Sequence, residues 1–160
     1  MFRGMRRKKQ QISDEECAAI LGRATSGVLA VHGDGGYPYA VPLSFVYMDD
    51  KIYFHCAKTG HKIDAILADD KVSFCVIDKD DIIPEEFTTY FRSVIAFGRA
   101  AVVEDPVEKR RVLHSLAEKY SPEMLVSAAD REIDGSFAAV CIVGITVDHM
   151  TGKAARELIG

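Results

Sequence analysis

No run of apolar residues in this 160-residue chain approaches the length of a membrane span, and its basic opening, Met1 to Gln11, leads into the acidic Ser13-Asp-Glu-Glu16 rather than an apolar signal core. Both absences point to a cytoplasmic protein. Its four cysteines, Cys17, Cys56, Cys75 and Cys141, share no CxxC spacing, so neither a zinc site nor a disulfide framework is supported. Most fall inside apolar segments and read as buried free thiols. A surplus of positive charge is also missing. The net charge is -4, which argues against the whole surface being a nucleic-acid footprint, and the local cluster Arg3, Arg6, Arg7, Lys8 and Lys9 reads as a solvated arm. What is present, 48% hydrophobic and 28% charged residues, suits one domain over 1–160, with a basic arm at 1–11 and a loosely held polar tail at 150–160.

The most informative stretch is Lys51 to Asp70. Its first half alternates large apolar and β-favouring residues as a half-buried strand does, and its second half sets Ile63, Ile66 and Leu67 at helical spacing. A strand therefore turns into a helix within a few residues. At the junction Thr59 is placed to cap the helix, Gly60 permits close backbone approach, and the first helical N–H groups point outward. Lys58 and Lys62, with His61 between them, add charge to that end. Lysines at a helix start are commonly solvated, yet they oppose the helix dipole there, which favours reading the bend as a phosphate site.

Taken in order, Ser13-Asp-Glu-Glu16 matches a capping box and predicts a helix over 13–23. Ser26 to Val31 and Tyr37 to Tyr47 form a hairpin about the glycine-rich His32–Tyr37 turn, with Pro38 and Pro42 marking the second strand as an edge, a bulge or a backbone facing something other than a strand. Met48–Lys51 is a tight turn, and Lys71 to Ile77 a buried strand. Asp78 to Glu86 reads as a loop, and Phe87 to Val103 as a long strand with a bend or bulge at Gly98. Asp105, Pro106 and Glu108 open a helix whose apolar face is Val112, Leu113, Leu116 and Tyr120; Ser121-Pro122 ends it, a short helix follows, and Phe137 to Val147 is the last strand. Six strands in meander-like order, with helices too few and too late for a parallel sheet, predict a small antiparallel barrel with helices outside.

Five ordered motifs then carry a resemblance: Ser26-Gly-Val-Leu-Ala, Gly36-Tyr-Pro-Tyr-Ala-Val-Pro-Leu-Ser-Phe-Val, Tyr53-Phe-His-Cys-Ala-Lys-Thr-Gly-His-Lys-Ile-Asp, Lys71-Val-Ser-Phe-Cys-Val-Ile-Asp and Tyr90-Phe-Arg-Ser-Val-Ile-Ala-Phe-Gly-Arg-Ala. Over about residues 1–125 the chain resembles the FMN-binding split-barrel proteins related to pyridoxamine-phosphate oxidase, and within them the nitroimidazole-resistance, or nitroimidazole reductase, branch. The resemblance implies a six-stranded antiparallel split β-barrel with peripheral helices, a homodimer, and FMN in each of two grooves between subunits; FAD or a deazaflavin would suit the same phosphate end. It implies that Pro42, Leu43 and Ser44 lie along the isoalloxazine, that His55, Cys56 and Ala57 lie on the adjacent strand, and that Lys58, Gly60, His61 and Lys62 hold the phosphate. Tyr90, Arg92 and Ser93 would face the groove from the partner subunit. Cys56 departs from the serine common in relatives, which weakens a hydroxyl contact to the flavin.

Each of these residues also has a plainer reading. His55 on an alternating strand could be a satisfied histidine, although the motif favours a flavin contact, and it is the one candidate for a catalytic acid. Arg92 is as well explained by an acidic neighbour across the sheet as by a flavin or substrate contact. No base with an orienting group is evident beside Cys56, so it reads as a small buried thiol rather than a nucleophile. His32 and His149 read as turn and strand-end residues. The resulting expectation is an FMN-dependent oxidoreductase that takes electrons from a reduced nicotinamide or another donor and reduces a small acceptor, nitroaromatic by resemblance. Three other classes are weighed against it. A pyridoxamine-phosphate oxidase would need a C-terminal arginine-rich set, and only Arg156 lies in the tail. A haem-binding barrel could draw an axial nitrogen from His55, His61 or His149. A non-catalytic flavin-binding sensor would keep the groove without turnover.

Overall fold

Ser13 accepts a hydrogen bond from the Glu16 N–H at 3.1 Å, and this cap starts helix α1 (Asp14–Arg23), which buries Cys17, Ile20 and Leu21 as the apolar spacing requires. The computed structural model describes residues 1–159. Ahead of α1, the basic arm ends in a single 3-10 turn and a two-residue strand β1 (Gln11–Ile12). After it come β2 (Gly27–His32), β3 (Pro38–Leu43), β4 (Val46–Met48), β5 (Lys51–Ala57), helix α2 (His61–Ala68), β6 (Lys71–Ile83), β7 (Thr88–Val102), helices α3 (Pro106–Tyr120) and α4 (Val126–Ser136), and β8 (Val140–Ala154). The strands form one antiparallel sheet in the order β3-β2-β6-β7-β8-β5-β4, with β1 on β8.

This is the expected mainly antiparallel β architecture with peripheral helices, and the count of eight strands among the described residues, rather than six, has a local cause. The segment predicted as one strand over 37–47 breaks at Ser44 and Phe45 into β3 and β4, and the arm contributes the short β1. The two strands made by that break lie at opposite ends of the hydrogen-bonded order yet are joined by two residues. A two-residue link spans only about 10 Å, so the sheet must curl until its edges meet. The barrel is thus closed by covalent chain rather than by a ladder, and its seam is at Ser44–Phe45. Pro38 and Pro42 sit on β3, whose only ladder partner is β2, so their missing donors leave no ladder position unpaired.

Four other expectations are corrected. The loop predicted at 78–86 is mostly strand, because β6 runs on to Ile83 and pairs with Thr88–Arg92 across a 3-10 turn at Pro84–Glu86. The tail expected to be loose at 150–160 is anchored at its start: β8 reaches Ala154, held between β7 and β1, and Ala154 and Ala155 are buried, while Gly160 lies outside the described residues. Thr59 does not cap α2; the cap position is Gly60, with no side-chain hydrogen bond. Asp105 caps α3 from Val107 N–H, but Glu108 is used elsewhere, accepting from the Tyr53 hydroxyl at 2.7 Å. The bend or bulge expected at Gly98, by contrast, is present as a register shift between Phe97 and Gly98, where a Cβ would press on the Thr146 carbonyl oxygen.

The main core fills the barrel with Leu29, Phe45, Phe54, Phe74, Val94 and Val143 among others, closed at one end by α1. A second cluster lies outside β4, β5 and β8, where Tyr53 and Ile142 meet Val112, Leu113 and Leu116 of α3 and Ile133 of α4. Strand β5 therefore has a buried neighbourhood on both faces. Among the described residues no helix is long and apolar enough to cross a membrane.

Candidate cofactor groove

The seam leaves backbone groups of Phe45 without a strand partner, and α3 supplies one. The Phe45 N–H donates to the Tyr120 hydroxyl at 2.9 Å, that hydroxyl donates to the Thr25 carbonyl at 2.7 Å, and Lys119 Nζ donates to the Phe45 carbonyl at 2.9 Å. Lys119 also lies over the Phe45 ring, 4.2 Å from its centroid. Burial of this ammonium lowers its pKa from the usual lysine value. The end of α3 thereby clamps the joint between β3 and β4.

Beside the clamp is a cavity of about 810 Å³. Its floor is Ser44 at the seam, His55 on β5 and Val140 at the start of β8; its wall is α3 and α4, with Leu116, Ala117, Ala129 and Glu132. The lining is mainly apolar with a few polar groups, the usual character of a small-molecule site. His55 reaches it because strand residues alternate faces: Phe54 and Cys56 turn into the barrel, and His55 turns out.

From His55 the same strand leads through exposed Ala57 to the bend at Lys58–Lys62. Gly60 adopts φ 138°, a conformation L side chains rarely take, and no atom lies within 4 Å of where its Cβ would be. The result is an open backbone cradle in front of the first-turn N–H groups of α2. Neither Lys58 nor Lys62 is in an ion pair among the described residues. His61 is engaged differently. Its ring stacks on Tyr39 at 4.1 Å, and its Nε2 accepts the Asp34 N–H at 3.4 Å, which ties the bend to the β2–β3 turn and leaves that nitrogen unable to donate.

Of the expected groove residues, Ser44 and His55 line the cavity, while exposed Ala57 ends β5 and Lys58, Gly60 and Lys62 make up the bend that follows it. It places Pro42 at the end of the edge strand beside the seam, with Leu43 packed inward on the core. Cys56 lies on the inward face of β5, opposite to His55, so its thiol does not open onto the cavity. Tyr90, Arg92 and Ser93 do not line this cavity within the chain. Tyr90 donates its hydroxyl proton to Glu86 at 2.7 Å, and Ser93 pairs with Ile77 and Lys153 in the ladder. Arg92 Nε donates to Asp78 at 2.6 Å, and Arg23 holds the same carboxylate through two bonds at 2.8 and 2.9 Å. A bulge between Ile77 and Lys79 takes Asp78 out of the ladder and frees its side chain for this clamp. The two guanidinium groups hold the Asp78 carboxyl below the usual aspartate range. His149, predicted at a strand end, is inside β8 beside the bulge and stacks on Phe2 at 4.7 Å.

Sequence reasoning missed the cavity wall and the clamp. The stripe Leu113, Leu116 and Tyr120 was legible as a helix face, but its second use as a wall depends on where α4 folds back, which no local pattern encodes.

An antiparallel sheet rolled into a barrel and left unladdered along one seam is a split barrel. The chain belongs to the pyridoxamine 5'-phosphate oxidase family, which it matches over residues 13–154. A conserved hypothetical protein from Mycobacterium tuberculosis superposes with a TM-score of 0.83 at 23% identity, over 97% of this chain and 92% of that one. A candidate 5-nitroimidazole antibiotic resistance protein from Bacteroides thetaiotaomicron gives 0.71 at 24% identity, over 96% and 90%. A protein from Mycobacterium smegmatis that binds FAD and haem gives 0.74 at 21% identity, over 92% and 73%. At these identities the likeness speaks for the fold. No curated protein matches the sequence.

Proposed function

We propose that this chain is a flavin-dependent oxidoreductase that holds FMN along β5, the ring end toward Ser44 and His55 and the phosphate at Lys58, Gly60 and Lys62. The observation that carries this reading is that the strand whose His55 lines an apolar-walled cavity ends in an open bend whose lysines are in no ion pair among the described residues. A flavin bound there supplies two-electron transfer, from a reduced nicotinamide or another donor to a small acceptor. The chain's own part is to bind and orient. Lys58 and Lys62 offer ammonium charge to a phosphate, and the α2 N–H groups beyond Gly60 offer backbone donors. The α3–α4 wall excludes water from the ring end, where its apolar side chains suit a flat, weakly polar acceptor such as a nitroaromatic. His55, exposed on the floor, is the one imidazole placed to hand a proton to an acceptor. FAD would use the same phosphate end and extend beyond it.

The reading includes a homodimer, with Tyr90, Arg92 and Ser93 reaching the groove of the second copy. Support comes from the β6–β7 hairpin, which carries Ile77, Ile82 and Phe87 in the open, Phe87 at 97% exposure.

Haem is the second reading, favoured by a single observation: His55 faces a cavity of haem-compatible volume, whereas His61 Nε2 is engaged and His149 is stacked under Phe2. The absorption spectrum of the purified protein separates the two, flavin bands against a Soret band, with chromatography of the released chromophore distinguishing FMN from FAD. Retained flavin without turnover by any reduced nicotinamide and acceptor would leave a binding protein. Lys62→Ala is expected to weaken FMN binding about tenfold or more, read by flavin-fluorescence titration; unchanged retention would remove the phosphate assignment.

A further inference from the structure

Cys56 and Cys141 stand directly opposite one another in the β5–β8 ladder. Residues so paired have Cα atoms about 4.5–5.5 Å apart, within the roughly 4.4–6.8 Å that a disulfide spans. The pleat sends both side chains to one face, the barrel interior, where both pack on the main core. The Cys141 thiol stands near enough to help hold the Cys56 proton in place. Their access differs: Cys141 is 7% exposed, while Cys56 is half-buried at the barrel end where β5 runs out toward Lys58. Among the described residues the other two cysteines have no such cysteine opposite them, Cys17 lying against Ile12 and Gly152, and Cys75 facing Val28 and Ile95 across its ladders.

From this register we infer that Cys56 and Cys141 are a redox-active dithiol, closing to an intramolecular disulfide by exchange with a small-molecule disulfide. The Cys56 thiol loses its proton to solvent, and the thiolate attacks one sulfur of the small disulfide, expelling the other half as a thiol. The Cys141 thiolate then attacks the Cys56 sulfur of the mixed disulfide and expels the second half. The protein dithiol gives up two electrons and two protons, and the small disulfide takes them up as two thiols. Burial, with Cys141 second, raises the Cys56 pKa, and the Lys62 ammonium on α2 acts in the opposite sense. Closure is therefore slow at neutral pH and quickens as the thiolate fraction rises. The bond would tie β5 to β8 one residue from His55, at the end that delivers the bend. No flavin takes part, so the inference goes beyond the proposed function and stands or falls separately.

The test is incubation of the full chain with excess oxidised glutathione over a pH series, followed by acid quench, alkylation of remaining thiols and peptide mapping. The expected result is that two of the four cysteines become protected together, in a Cys56–Cys141 cross-linked peptide that dithiothreitol releases. Below the thiol pKa the rate should rise about tenfold per pH unit. In Cys141→Ser, glutathione should remain on Cys56. Four alkylated cysteines throughout, protection at Cys17 or Cys75 instead, or a glutathione adduct persisting on wild-type Cys56 without closure would each overturn the inference, and these readings need no variant to fold.

Discussion

Asp78 shows how one bulged residue can organise two elements. Two guanidinium groups, one from α1 and one from β7, converge on a carboxylate whose side chain is 9% exposed. Asp78→Asn would remove the charge that both arginines answer and is expected to cost about 1–3 kcal/mol in urea unfolding. The sign of the pH dependence follows from the lowered pKa. The unfolded chain binds a proton at a higher pH than the folded one, so the clamp's stability is fully present above the ordinary aspartate range and is lost as pH falls through the lowered value. The asparagine variant should lose that portion of the acid limb. Arg92 thereby takes the acidic-neighbour reading left open by the sequence, and only its Nε is engaged by Asp78.

The elements were legible to the degree that their signals were local. The capping box of α1, the prolines of β3, the Asp49–Asp50 turn with both residues at positive φ, and the Gly98 bend are each written in a few adjacent residues. The misreadings are of another kind. The polar stretch 78–83 and the tail beyond Val147 become strand because long neighbours are there to pair with them, a tertiary cause that overrides composition. The strand-to-helix bend was readable because charge, glycine and helix start fall within five residues, while the clamp at the seam joins positions 75 residues apart, Phe45 and Tyr120. Tyr120→Phe tests that clamp. It leaves the ring in place but removes the acceptor of the Phe45 N–H, and is expected to cost about 1–2 kcal/mol with an unchanged denaturant slope.

At the scale of the molecule, the exposed apolar hairpin predicts association. The chain is expected to sediment as a dimer, and Ile82→Asp, which puts a charge on a side chain 72% exposed in the single chain, should shift it toward monomer and reduce flavin content together. A monomeric wild-type chain that retains flavin would show that one copy completes the groove. The residue pattern alone does not single out such a surface, because an apolar side chain on a strand reads as core whichever partner covers it.

Strand β8 is last in the chain, yet the sheet order places it between β7 and β5. Until Val140–Ala154 has been synthesised, the β4–β5 hairpin has no ladder joining it to the rest of the sheet. Until then the apolar β4–β5 hairpin and one edge of β7 stand unpaired, so the slow, non-local closure by β8 is the stage of folding most exposed to aggregation.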